Sequence, residues 1–411
     1  MTIRILAYIL IMMSALTSAA SCSKTSKQNP VSNADTSAGS DIDSTISVGA
    51  EQTDIYIPML SGKRVALFSN HTGMAKGRHT LDLMLENGIN VTTIFSPEHG
   101  FRGTADAGEH VRSDIDSATG IPIASLYDKG KKMPSQSTMD RFDIIVVDIQ
   151  DVGLRYYTYY ITMLQLMNAA ISHDKGMIIL DRPNPNGMTV DGPVLDMSLA
   201  SGVGALPIPV AHGLTLGEMA LMANGEGWLN DGAYLDSLKV VPVKGYTHST
   251  RYKLPIAPSP NLRTMKAIYL YPSTCYFEAT DVSLGRGTDS PFEIYGHPQM
   301  RNRNFSFTPQ SVPGAKNPPQ LGRLCHGEDL RNLDDEQIIA KGVDLSFLID
   351  AYNDLGGGNK FFSSFFEKLI GNRKVRRMII EGKTADEIKA TWAKDVEAFR
   401  LQRAPYLLYP E

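Results

Sequence analysis

Cysteine is scarce in this chain, basic clusters are missing, and beyond the first residues no apolar run is long enough to cross a bilayer. Each absence excludes something. Of the three cysteines, only Cys275 and Cys325 fall in the part of the chain that can fold. Their spacing fits no metal motif, and it leaves a disulfide and two buried thiols equally open. With 40 basic against 44 acidic residues and no basic stretch interleaved with aromatics, nucleic acid is not a partner. No G-x-S-x-G elbow occurs, so a serine nucleophile of the α/β-hydrolase kind has no support. Neither G-x-x-x-x-G-K-[ST] nor a G-x-G-x-x-G after the first strand is present, which removes phosphate and dinucleotide binding. H-E-x-x-H is also absent, and His71, His79, His99 and His110, with His212 far downstream, have no recognised ligand spacing. No cofactor and no metal are indicated.

What is present begins at the N-terminus. Thr2 to Arg4 carry one positive charge, Ile5 to Leu16 form a mostly apolar run, and Thr17 to Ser21 are all small. That layout is a secretory signal peptide, with an apolar run too short to span a membrane. Ala19-Ala20-Ser21 lead into Cys22, which resembles the lipobox of bacterial lipoproteins, with Ala19 standing where Leu is commoner. Residues 1–21 therefore read as a lipoprotein signal peptide and Cys22 as the lipid attachment point. Residues 22–54 are rich in Ser, Thr, Asn, Asp and Gly and read as a flexible tether, unable to bury enough surface to offset ordering entropy. The lipid would be the only membrane contact, holding an exported protein in the cell envelope, facing the periplasm.

The remainder is long enough for two domains. From Gly62 the pattern alternates strand and helix. Strands are predicted at Arg64 to Phe68, Val91 to Phe95, Ile121 to Leu126, Ile144 to Val147 and Met177 to Leu180. Helices are predicted at His79 to Asn87 and Thr158 to Ser172, and Glu218 opens a further apolar helical pattern. Strands apolar throughout, alternating with helices, imply a mostly parallel sheet covered on both faces, an α/β architecture. The second half differs. A short strand near Leu238 to Val243, proline punctuation over Pro255 to Asn261 and a polar stretch from Glu278 to Glu293 precede helices at Leu345 to Tyr352, Phe361 to Leu369 and Ala385 to Phe399. A boundary near residue 250 separates a first domain, 55–250, from a smaller α+β auxiliary domain, 251–411.

Each predicted strand ends in polar residues. Ser69-Asn70-His71-Thr72 follow the first, Ser96-Pro97-Glu98-His99 the second, Asp148-Ile149-Gln150-Asp151 another and Asp181-Arg182-Pro183-Asn184 the last. Ligands of open parallel sheets bind beyond the carboxyl ends of the strands. One such end could be a helix cap, but four of them, with Glu, His and Arg included, exceed what capping needs. Glu98 is the sharpest candidate: Pro97 fixes its approach, Gly100 lets the chain turn, and Phe95 and Phe101 stand nearby to desolvate it. Desolvation keeps a carboxyl protonated near neutrality, as a glycosidase acid requires. The competing reading is an ion pair with Arg102 or a helix cap.

Several stretches decide between them. Ser69-Asn70-His71-Thr72-Gly73, Phe95 to Gly103 through Ser-Pro-Glu-His-Gly, Asp148 to Gly153, Arg155-Tyr156-Tyr157-Thr158-Tyr159, Leu180 to Pro185, His212 to Glu218, Pro258-Ser259-Pro260-Asn261 and Ser283 to Thr288 occur in that order. Together they resemble the NamZ-type exo-β-N-acetylmuramidases, a glycoside hydrolase family long filed as a domain of unknown function. The similarity runs from Gly62 to Tyr409. It departs at Asn186 and Met188 around Gly187 and at Tyr160, none of which replaces a carboxylate. The resemblance implies a Rossmann-like catalytic domain with a smaller auxiliary domain, acting on peptidoglycan-derived saccharides to release non-reducing terminal β-1,4-linked N-acetylmuramic acid. It places the catalytic glutamate at Glu98.

Most glycosidases need a second carboxylate near the anomeric carbon. Asp151 is preferred here, with Asp148 and Asp181 behind it. N-Acetylmuramic acid carries a lactyl carboxylate, which suits a bidentate arginine, and Arg155, Arg182 and Arg286 are candidates. Asn70, His71, His99, Arg102, His212, Asn184, Ser259 and Asn261 complete the expected saccharide contacts, and Tyr156, Tyr157 and Tyr159 either stack on the sugar or belong to the core. Two other classes compete: a non-catalytic binder of cell-wall fragments, indifferent to loss of Glu98, and a metal-dependent amidase or esterase, sensitive to chelators. The sequence does not determine the oligomeric state.

Overall fold

The computed structural model describes residues 46–97, 101, 114–125 and 133–411. Cys22, Glu98, His99 and Arg102 lie outside these residues, as does the signal sequence. Six strands form the main sheet: β1 (Arg64–Ser69), β2 (Asn90–Ser96), β3 (Pro122–Ser125), β4 (Ile144–Asp148), β5 (Gly176–Leu180) and β6 (Leu238–Val241). They run parallel in the order β6-β5-β4-β1-β2-β3, and a two-residue strand, Asp114–Ile115, pairs antiparallel with β3. Alternate residues of each strand face opposite ways, so each strand feeds two cores. Ala66, Phe68, Phe95, Ile145 and Val147 enter one core with the helices Tyr159–Ser172 and Leu216–Gly225. Val65, Leu67, Ile94, Val146 and Ile178 enter the other, under the helices Thr53–Leu60 and Thr80–Glu86. Burial on both faces is why the strands read as unbroken apolar runs.

The chain leaves β1 for β2 and β3 on one side, then returns to lay β4 on the other. Two connections diverge at that point, so the carboxyl ends of β1 and β4 frame a crevice. Ser69 and Asp148 are partners across it.

The expected tether ends earlier than residue 54. Ser47 and Lys244 exchange backbone hydrogen bonds of 3.0 and 2.9 Å, and Gly49 donates to Asp181 at 2.9 Å. A Cβ at Gly49 would stand 2.6 Å from the Asp181 nitrogen, so glycine is required for this close approach. Val48, Ala50, Tyr56 and Leu60 are buried, and it is their spacing among polar residues that the compositional reading overlooked.

Beyond β6 the helix Met265–Thr274 leads to a three-stranded antiparallel sheet of β7 (Ile294–His297), β8 (Phe305–Phe307) and β9 (Cys325–Asp329), ordered β7-β9-β8. Two expected helices are broken. The first becomes a turn at Asn359–Phe361 followed by Phe366–Ile370, and in the gap Ser363 Oγ accepts the Phe365 amide at 3.3 Å, a local turn that competes with helix. The second tightens to a 3-10 turn at Ala390–Trp392, where the Trp392 indole donates to Asp191 at 2.9 Å, and then runs on to Arg403. Cys275 and Cys325 are buried free thiols, so the disulfide alternative falls. One apolar core runs without a break from Phe68 and Tyr160 to Tyr276, Leu348 and Phe366. Among the described residues no helix is long and apolar enough to cross a membrane.

Candidate functional site

The rim of the crevice is tied together by short-range polar bonds. Asn70 is fully buried; its Oδ1 accepts the Thr72 amide at 2.9 Å and hydroxyl at 2.6 Å, and its Nδ2 donates to the Tyr159 hydroxyl at 3.1 Å. Thr72 in turn accepts the Gln150 amide at 3.0 Å, joining the loop after β1 to the loop after β4. An imidazole nitrogen of His71, Nε2, lies 2.9 Å from the Ala257 carbonyl, which brings in the 257–261 segment.

Several expected saccharide contacts are internal instead. Asp148 is fully buried and takes Arg182 Nε at 2.6 Å, Arg182 Nη2 at 3.0 Å and the Thr80 hydroxyl. Arg182 also donates to the Met74 carbonyl at 2.9 Å, so each member of the pair is consumed by the other and by the frame. Asp181 accepts Thr215 Oγ1 at 2.7 Å, the Gly217 amide at 2.9 Å and Tyr409 Oη at 2.6 Å. Burial pushes its carboxyl up to about 6 against these bonds. Arg155 has no exposed surface; Nη1 donates to the Pro193 and Ile208 carbonyls at 2.6 and 2.8 Å, and Nη2 to Leu369 and Ile370 at 3.0 and 2.8 Å. It is a strut that fixes the Asp151–Tyr159 loop to the C-terminal helices, and its fork cannot meet a substrate carboxylate. Asn184 spends its amide on the Leu214 carbonyl and the Asn186 amide, at 3.0 and 2.8 Å. His212 accepts the Leu214 amide at 3.1 Å and is held neutral, its pKa pushed down to about 3 by burial and by Arg403 and Arg155. Asp148, Asp181, Arg155, Arg182, Asn184 and His212 are thus corrected from ligand contacts to supports, because the bonds they make run inside the protein; Arg182 Nη1 and the buried Arg155 Nε and His212 Nε2 have no hydrogen-bond partner among the described residues.

Asp151 behaves differently. Its Oδ1 accepts the Gly153 amide at 2.7 Å, while Oδ2 is buried with no hydrogen-bond partner among the described residues. Burial drives its carboxyl up to about 7, and the Gly153 and Val152 amides only partly counter it. A carboxylate with one open oxygen and a pKa near neutrality can exchange a proton or face a cationic centre.

The loop that carries Asp151 continues into Tyr156, Tyr157 and Tyr159. Tyr156 is core: its hydroxyl donates to the Tyr271 carbonyl at 2.9 Å. Tyr157 and Tyr159 pack edge to face with centroids 4.6 Å apart and send their hydroxyls to the Pro258 carbonyl. Both line a cavity of about 200 Å³ whose far wall holds Ser259, Asn261, Glu278 and Arg286. Asn261 is steadied by donating to the Gly314 carbonyl at 2.8 Å. Arg286 meets Glu278 at 2.5 Å and lies over the Phe292 ring, 5.1 Å from its centroid. Sequence reading missed Glu278; its only signal was a position eight residues before Arg286 in a polar stretch. Among the described residues no group of His, Cys, Asp and Glu is placed to hold a metal ion.

Fold and site together define a two-part α/β protein with a confined polar and aromatic cavity beside the switch point of a parallel sheet. Comparison with known proteins places it more narrowly. The N-terminal family of exo-β-N-acetylmuramidase NamZ matches residues 65–266, and its C-terminal family matches residues 269–409. The chain is 37% identical over 373 residues to the peptidoglycan β-N-acetylmuramidase NamZ of Bacillus subtilis (strain 168), covering 86% of this chain and 89% of that protein. Two crystal structures of DUF1343 family proteins from Bacteroides fragilis NCTC 9343 are similar. One has 59% identity and a TM-score of 0.84, the other 28% and 0.75, and each match covers 89% of this chain and 99% of that one. This chain belongs to the NamZ exo-β-N-acetylmuramidase family.

Proposed function

We propose that the protein is an exo-acting glycoside hydrolase that releases non-reducing terminal N-acetylmuramic acid from β-1,4-linked peptidoglycan fragments. Family membership and the likeness to the Bacillus subtilis enzyme support the reaction. The observation that carries the chemistry is the buried, unpartnered Oδ2 of Asp151 in the loop that follows β4. In this reading Glu98 protonates the leaving oxygen, and Asp151 is the second carboxylate, facing the positive charge that develops at the anomeric carbon. A carboxyl raised to about 7 by burial is partly ionised near neutrality, where its charge can face that centre. Ser259, Asn261 and Arg286 supply polar contacts to the sugar, with Asn70 and His71 holding the rim.

We also propose that residues 1–21 are removed on export and that Cys22 carries the lipid, leaving the enzyme in the bacterial envelope facing the periplasm. The motif ahead of Cys22 supports this reading. Replacement by Cys22→Ala is expected to move the protein from the membrane fraction to the soluble fraction and to abolish the acylated N-terminal peptide in mass spectra; unchanged membrane retention would sink it.

The activity is tested with aryl β-N-acetylmuraminide and aryl β-N-acetylglucosaminide, on the full chain, its Glu98→Gln variant and an EDTA control. Release from the muraminide alone, lost in the variant and untouched by EDTA, is expected. Binding of saccharide without turnover would favour a carrier lipoprotein, and loss with EDTA a metal-dependent amidase or esterase.

A further inference from the structure

Arg155, Arg182 and Arg286 are the arginines whose position near the strand ends and motifs suits a substrate carboxylate, and two of them are spent inside the protein. Arg286 alone of the three reaches the cavity. A guanidinium offers five N–H donors along three edges. Glu278 Oε1 occupies one edge of Arg286, accepting Nη2 at 2.5 Å and Nε at 3.2 Å. Phe292 lies under one face of the same group, 5.1 Å from ring centroid to Cζ, which fixes its plane. Nη1 has no hydrogen-bond partner among the described residues. The edge formed by Nη1 and the second proton of Nη2 is therefore set in place with its direction fixed, as bidentate recognition of a carboxylate requires.

We propose that Glu278 and Arg286 select for a sugar that carries a carboxylate: Arg286 holds the lactyl anion by its open edge, and Glu278 holds the adjacent edge and keeps the grip reversible. This rests on the muramidase reading and deepens it. The need for Glu278 follows from the charges. Both side chains are partly screened, at 25% and 19% exposure, where a lone guanidinium would attract any anion strongly. The enzyme must also let go, since the released sugar acid keeps the same carboxylate as the substrate. Glu278 offsets most of the field of Arg286, so selection depends on matching the free edge and not on net charge. A neutral hexosamine leaves that edge without its partner, which is how a site built for one polar group rejects the analogue that lacks it.

The test uses the full chain with aryl β-N-acetylmuraminide and the same compound with its lactyl carboxylate converted to the neutral methylamide. Arg286→Gln is expected to lower kcat/KM for the acid by about 10- to 100-fold, mostly through KM, and to change it for the methylamide by less than about threefold. Equal losses on both substrates would overturn the proposal. Glu278→Gln keeps an acceptor oxygen on Arg286 while removing the charge. Free N-acetylmuramic acid is then expected to inhibit about three- to tenfold more strongly than in the wild type, the opposite of what loss of a structural prop would do. Weaker inhibition would overturn the assignment of Glu278. If the Arg286→Gln chain lacks a native near-ultraviolet circular dichroism spectrum, Arg286→Lys replaces it in the same comparison of acid with methylamide. Should the folded wild type turn over neither substrate, the muramidase reading itself fails. Calorimetric titration with N-acetylmuramic acid and N-acetylglucosamine then decides the pair separately: a preference for the acid that Arg286→Gln abolishes supports it, and equal binding refutes it.

Discussion

The loops after β4 and β5 look alike as text and differ in what they leave over. After β5, Asp181, Arg182 and Asn184 bond inward to Thr215, Gly217, Tyr409, Asp148, Leu214 and Asn186. After β4, Asp148 is equally consumed, but three residues later Asp151 keeps an oxygen without a partner among the described residues, and the chain runs on into three tyrosines that line the cavity. Polar density at a strand end therefore does not separate a support from a reactive group. What marks Asp151 is a buried carboxylate oxygen without a partner among the described residues, which costs free energy that a fully bonded carboxylate such as Asp148 or Asp181 does not carry.

That contrast can be broken most forcefully at Asp151. Asp151→Asn is expected to lower kcat on the aryl muraminide by about a hundred- to ten-thousand-fold. The same change is expected to raise the unfolding free energy at pH 8, because the wild type then holds an ionised carboxylate in a buried place. Urea unfolding beside the kinetics reads both; a variant that loses stability as well as activity would make Asp151 another support. At Asp148 the expectation is reversed. Asp148→Ala strands the Arg182 guanidinium and should cost about 3–5 kcal/mol, whereas Asp148→Leu combined with Arg182→Met should cost much less. Comparable losses in the single and double variants would argue against the pair as the cause.

A third prediction concerns pH. Asp151 and Asp181 have folded-state pKa values raised to about 7 and about 6, above those of the unfolded chain. The unfolded chain therefore loses these protons first. Their favourable contribution is complete below about pH 4 and declines as pH rises to about 7, by at most about 4 kcal/mol for Asp151. In Asp151→Asn the decline should keep only the part that ends near pH 6. A wild-type profile flat across this range would refute both shifts. The smallest effect is expected at the rim: Tyr159→Phe removes a hydroxyl shared by Asn70 and Pro258 and should cost about 1 kcal/mol with kcat changed less than about threefold.

Much of the frame can be read from the residues in order. The parallel strands show as apolar runs because two cores claim their alternate residues, and the motif stretches mark the strand ends. The roles within those ends are not local information. Asp181 is satisfied by Thr215 and by Tyr409, 34 and 228 residues away, and Arg155 by carbonyls 214 and 215 residues on. No window of sequence contains such pairs. Glu278 was missed for the related reason that an acid in a polar stretch gains meaning only when Phe292 and a cavity wall fix the arginine beside it.

The switch-point order of the sheet has a kinetic consequence. β1 can pair with β2 after a loop of modest length, since Arg64 meets Asn90. Its other edge stays open until Ser69 meets Asp148, across a far longer span of chain. Contacts of high sequence separation form slowly because chain entropy must be given up first. The crevice between β1 and β4 is therefore among the last parts of the sheet to exist, and until β4 arrives the apolar edge of β1 is exposed to whatever else can pair with it.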